Sequence, residues 1–221
     1  MKLLLENWRK YLNEGIDPRI QKQLDKILAL PDVGVAIREI RNPPGISVYY
    51  VHISDNDPKR FSQVSYDDPG IPHGEVEIWK GDPGDSGPCL DGYLIMQANA
   101  ERGWGPLLYE IALEWASQKG GGLAADRGIV SQYAMAVWDK YAKRSDVEKK
   151  QMDIEHPNWH DTPTIPQLTP DVPEDDCEQM KAVRIGGMDG WADTSVSKMY
   201  YKDTSEVMNI LRKAGRLMEE A

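Results

Sequence analysis

Residues 102–116 read Arg-Gly-Trp-Gly-Pro-Leu-Leu-Tyr-Glu-Ile-Ala-Leu-Glu-Trp-Ala, and they follow the strand-like run Tyr93–Ala98. These residue types in this order can hold an anion. Glycines let the backbone approach a ligand closely, and the first turn of a helix offers free N–H groups and the positive end of its dipole. Pro106 fits the first helical turn, where a missing N–H breaks no helix bond. Leu107, Leu108, Ile111, Ala112 and Trp115 recur at helical spacing and predict a face turned to a core. The same string also makes a plain turn with a proline start, so the residues by themselves leave both uses open.

Other residues could carry chemistry. His73, Glu75, Glu77 and Asp85 lie in the strand-rich half and are the candidates for a general base, which needs a tuned pKa and hydrogen-bond reach. Each serves equally as a solvated surface charge. Asp126-Arg127-Gly128 suits an ion pair or a turn. Ser131 is placed to cap a helix, with no nearby histidine to make it a nucleophile. His156 and His160, with Glu155 and Cys177, have a ligand-like spacing, but Pro157 disfavours a helix and no paired cysteine follows, so no metal site is expected.

The elements that must position these groups are readable from pattern. Residues 2–13 predict an amphipathic helix with Leu5, Trp8 and Leu12 on one stripe and Gly15 as its stop. Asp17 and Pro18 open a second helix running to Leu30. Val33–Ile40 and Ile46–Ser54 read as a hairpin across Asn42-Pro-Pro-Gly45. Residues 55–74 read as a loop, Glu75–Lys80 as a short strand, 104–118 as the helix after the glycine turn, Gly121–Ala125 as a short strand, and Ser131–Lys143 as a further helix. From 149 to 182 repeated prolines prevent long regular structure. Ser197–Lys202 predicts a closing strand, and Asp203 with Glu206 predicts a capping box for a last helix with Val207, Ile210, Leu211, Ala214 and Leu217 on its apolar face.

The chain has 221 residues, enough for one domain with a core. Its net charge is −10, which argues against a general nucleic-acid surface while leaving room for one local anion site. Two cysteines make no disulfide framework, and no apolar run approaches a membrane span.

The run from Arg102 to Leu107 resembles motif A of the GNAT acyltransferase superfamily, Q/R-x-x-G-x-G/A. Arg102 and Gly105 fill its first two fixed places, and Leu107 stands where Gly or Ala is expected. The resemblance covers residues 90–143, about a quarter of the chain. It implies an α+β fold, a mixed and mainly antiparallel sheet flanked by helices, with the proline-rich stretch as an irregular C-terminal arm. The domains would be a core at 15–148, an arm at 149–197, and a closing strand and helix at 198–221. It implies that Arg102, Gly103, Trp104, Gly105, Leu107 and Leu108 bind the pyrophosphate of acetyl-CoA, a cosubstrate whose acyl group goes to an amine acceptor. In that family a Tyr in the pattern A-x-x-x-Y often protonates the departing thiolate. Here Ala134 is followed at that place by Trp138, which cannot act as an acid, and Tyr141, one turn on, is the candidate.

The opening string Glu-Asn-Trp-Arg-Lys-Tyr-Leu-Asn-Glu-Gly resembles the starts of structural proteins in T-even-type phages, whose leaders direct proteins into the head and are cut after Glu in a Leu/Ile-x-Glu context. Leu12-Asn13-Glu14 fits such a site, as does Leu4-Leu5-Glu6. This implies a cleavable leader at 1–14, phage head proteins as partners, and a location in the cytoplasm of an infected bacterium or in the virion. Two functions are thus expected: an N-acyltransferase, or a non-catalytic virion protein keeping a GNAT-like fold.

Overall fold

A helix with its own start signals opens the described chain. Asp17 caps α1 (Pro18–Ala29), its carboxylate accepting from the Arg19 N–H at 2.8 Å, and Pro18 sits in the first turn. Ile20, Gln23, Leu24 and Ile27 form the buried stripe. The computed structural model describes residues 16–53, 61–63, 72–80, 92–126, 130–154, 176–177 and 193–220. The expected leader at 1–14 lies outside them.

After α1 come β1 (Val33–Arg41), β2 (Pro44–Ile53), β3 (Phe61–Gln63), β4 (Gly74–Lys80) and β5 (Tyr93–Ala100). Then follow α2 (Gly105–Gln118), β6 (Leu123–Ala124), α3 (Gln132–Tyr141), β7 (Glu148–Gln151), β8 (Asp153–Ile154) and β9 (Asp176–Cys177). A 3-10 turn at Ser195–Ser197 leads into β10 (Lys198–Tyr201), α4 (Glu206–Lys213) and β11 (Leu217–Glu220). The fold is α+β. One sheet runs β11-β1-β2-β4-β5-β6-β10-β7, with β3 beside β2. Its ladders are antiparallel except β1 with β11 and β5 with β6.

Alternation decides the faces. Val35, Ile37, Ile46, Val48, Tyr50, Val76 and Ile78 point to one side and join Leu24, Leu107, Ile111, Trp138 and Leu211 of the four helices in the main core. On the other side Ala36, Tyr49 and Val51 form a small cluster with Met218.

A buried ionic group fastens the helices to the far half of the sheet. Glu110 and Glu114, one turn apart on α2, are both 0% exposed. Lys202, just after β10, reaches Glu110 at 2.7 Å and Glu114 at 2.8 Å. Arg144, after α3, forks onto Glu110 at 2.5 and 2.8 Å and also holds Asp146. Burial opposes the charge on Arg144, but its bonds to Glu110 and Asp146 outweigh that and raise its pKa. Glu114 also caps α4: the oxygen that Lys202 holds accepts from the Val207 N–H at 3.1 Å, and its other oxygen accepts from the Met208 N–H at 2.8 Å.

Four expectations are corrected here. The capping box of Asp203 and Glu206 does not form: Ser205 is the N-cap without a side-chain bond, and Glu114 takes the donors instead. The last helix stops at Lys213, because Gly215 at φ +66 turns the chain, and Leu217 belongs to a strand paired with β1. Residues 149–151, read as the start of the irregular stretch, belong to β7 (Glu148–Gln151) on the edge of the sheet. Likewise β3 interrupts the expected loop at 55–74.

Candidate functional site

The glycine turn lies where sequence places it, between β5 and α2. Its backbone is fixed from a distance. Gly103 takes φ +91, a conformation that glycine adopts without strain. The Trp104 N–H bonds the Glu101 carbonyl at 3.0 Å, and the Tyr50 hydroxyl donates to the Trp104 carbonyl at 2.8 Å. Gln23 of α1 spans the turn: its amide N–H donates to the Gly103 carbonyl, and its oxygen accepts from the Leu107 N–H at 2.7 Å. Lys26, one helical turn further on, stands over the Trp104 ring at 5.1 Å. Arg102 is exposed, while Leu107 and Leu108 are 0% exposed and contribute to the core.

This arrangement narrows what the turn offers a ligand. Pro106 has no N–H and Gln23 occupies that of Leu107. Among the described residues no internal acceptor takes the N–H of Gly103 or Gly105. At Gly105 a Cβ would meet only the Ala100 side chain at 3.6 Å, and its φ is not positive, so nothing inside the fold requires glycine there. Close approach by a ligand is one physical reason for glycine at such a place.

Beside the turn the two parallel strands part. β5 and β6 are paired at Tyr93–Leu123 and Leu94–Ala124, and β6 then ends while β5 continues to Ala100. Beyond Leu94 the edge of β5 has no β6 residue opposite it. On its other edge a bulge places Glu77 opposite Gln97 and Ile78 opposite Ile95, so Met96 has no partner in β4. The bulge turns Ile95 and Met96 toward the same space. They line an open cleft of about 160 Å³ with Ala98, Tyr109, Asp126, Val130, Ser131, Ala134 and Trp138. Met96, 42% exposed, opens onto this cleft.

Trp138 is 1% exposed and lies at the centre of an aromatic group, stacked on Tyr200 at 5.4 Å and edge-on to Tyr109 at 6.0 Å and Tyr141 at 5.9 Å. Tyr141, the candidate acid, lines a separate small pocket with Asp17, Arg19, Pro106, Lys140 and Arg144. Its hydroxyl is closed off beside Glu110, and burial together with that carboxylate raises its pKa well above the ordinary phenol value. The structure therefore brings Trp138 to the cleft and leaves Tyr141 behind it.

The base candidates separate as well. Glu75 and Glu77 project from the sheet face opposite the helices, where Glu75 accepts from the Ser47 hydroxyl at 2.5 Å and Glu77 from the Trp79 indole. His73 precedes β4, and its carbonyl accepts from the Glu101 N–H at 2.9 Å. Ser131 caps α3 as expected, accepting from the Ala134 N–H at 3.2 Å. Asp85, Arg127, Gly128, Glu155, His156 and His160 lie outside the described residues, as does the side chain of Cys177. Among the described residues no cluster of His, Cys, Asp and Glu could hold a metal ion, and no helix is long and apolar enough to cross a membrane.

Three participants escaped the sequence reading. Gln23 left one trace, a polar residue on the apolar stripe between Ile20 and Ile27. Tyr109 is hidden in a helix buried nearly all round. Met96 shows only once strand register is known. Neither family models, curated proteins nor solved structures give a match to this chain.

Proposed function

We propose that the chain is a GNAT-like acyltransferase that moves an acyl group from acyl-CoA to an amine. The observation that carries this reading is the cleft between the parting parallel strands, from which β5 runs on into the glycine turn and the N-terminus of α2. A phosphate-bearing ligand with an extended arm needs two things, an anion contact and a trough with unpaired backbone groups. The N–H groups of Gly103 and Gly105, with Arg102 nearby, supply the first. The stretch of β5 that runs on past the end of β6, with Met96 and Ala98 lining the cleft, supplies the second. The thioester supplies an activated acyl carbon, and the chain's part is to orient it and shield it from water.

A second reading has its own support. Gln23 already fills one of the donors at the α2 N-terminus, as a fold kept for packing alone would do. On that reading the chain is a virion protein carried into the head by residues 1–14, and it needs no ligand.

A calorimetric titration of the full chain with CoA separates the two. Gly105→Glu is the matched variant: a carboxylate at the first helical position agrees with the dipole and leaves stability within about 0.5 kcal/mol, yet it repels a phosphate. Saturable binding to the native chain, weakened tenfold or more by Gly105→Glu, is the expected result. No heat at millimolar CoA would remove the acyltransferase reading and leave the virion one.

A further inference from the structure

Besides Tyr93, four tyrosines of the main core, Tyr50, Tyr109, Tyr141 and Tyr200, carry buried rings with different fates for their hydroxyls. Tyr50 donates to the Trp104 carbonyl at 2.8 Å and Tyr200 to the Ser195 carbonyl at 2.5 Å. Tyr141 is sealed away beside Glu110. Tyr109 alone among these four lines the cleft, and among the described residues its hydroxyl makes no hydrogen bond. Its ring is 95% hidden, yet its hydroxyl is not sealed as that of Tyr141 is, so the tip of the side chain opens to the cleft, where a partner can arrive. The ring is held on three sides. α2 fixes its backbone one turn after Gly105, Trp138 packs edge-on against it, and Asp126 shares the cleft wall.

We infer that Tyr109, and not Tyr141, is the proton donor to the departing sulfur, an assignment that rests on the acyl-CoA reading of the cleft. In the reaction the amine nitrogen forms the C–N bond, the C–S bond breaks, and the thiolate takes the phenolic proton of Tyr109. The proton shed by the amine returns to the phenolate through water, so the products are an amide and a free thiol with every proton accounted for. Such a donor must stay protonated in the resting enzyme. Burial, with the Asp126 carboxylate adding to it, pushes the Tyr109 hydroxyl up to about 12, which keeps it so. Trp138 then acts as a positioning residue: its indole cannot donate as an acid but sets the tilt of the Tyr109 ring.

The direct test needs no acceptor. A hydroxyl aimed at the sulfur should make the native full-length chain prefer CoA over desulfo-CoA, which lacks that atom, and calorimetry with both ligands reads the preference. A preference of about fivefold in the native chain that falls within twofold in Tyr109→Phe is the expected result, since a hydrogen bond to sulfur is worth about 1 kcal/mol. Tyr141→Phe should keep the preference. If the native chain binds both ligands equally, or if Tyr109→Phe retains the preference, or if Tyr141→Phe removes it, Tyr109 is not the donor while the acyl-CoA reading stands. If CoA itself does not bind, both fall together.

Discussion

At the scale of single residues the strongest departures from expectation are charges. Glu110 and Glu114 lie one turn apart on a helix, a spacing that on a surface means a solvated pair. Here both are fully buried, and the reason lies far along the chain in Lys202 and Arg144. Burial by itself would lower the pKa of Lys202, but the two carboxylates beside it more than offset that and raise it. The folded-state value therefore exceeds the ordinary 10.5. A raised value means that the stabilisation is complete below pH 10.5 and is lost as pH rises through the folded pKa. Melting temperatures followed across that range should fall more steeply for the native chain than for Lys202→Met, and parallel curves would show that Lys202 does not carry the alkaline limb. At neutral pH the same substitution leaves two buried carboxylates short of a cation and should cost about 3–5 kcal/mol, read by denaturant unfolding. Nothing in the local sequence announced this pair of partners, because the contacts span 92 and 88 residues.

At the scale of elements the local signals and the long-range contacts divide cleanly. Asp17-Pro18, Pro106 and Ser131 mark helix starts by chemistry that acts within a few residues, and each start falls where the sequence puts it. The last helix shows the opposite case. Its capping donors are met by Glu114, and its apolar stripe was extended through Leu217 because a period of 3.6 cannot see the Gly215 turn. The bulge at Met96 is equally invisible until β4 and β5 are in register. The α1–α2 contact through Gln23 has a measurable weight. Gln23→Ala leaves the buried Leu107 N–H without an acceptor and the Gly103 carbonyl without its donor, and should cost about 1–3 kcal/mol. It should also loosen the turn, so that amide exchange quickens at residues 103–107 before it does so elsewhere in α2. Uniform exchange along the helix would mean that Gln23 only fills space.

At the scale of the molecule, sequence and structure agree on an α+β chain built on a large mixed sheet, beside which β8 and β9 pair as a separate two-stranded ribbon. Its four helices, in the described part, contribute to one core on one face. What pattern could supply was the turn, because its glycines and proline are contiguous. What it could not supply was the trough, which depends on where β6 ends relative to β5 and on the side chains that α2 and α3 turn into the gap. We propose that turn and trough form one site for an acyl donor. Amide hydrogen exchange of the full chain with and without CoA tests it most directly. The account predicts protection concentrated at Gly103, Gly105 and the β5 edge from Met96 to Ala100, with little change on the Glu75–Glu77 face of the sheet. Protection confined to another surface, or exchange indifferent to CoA at saturating concentration, would contradict it.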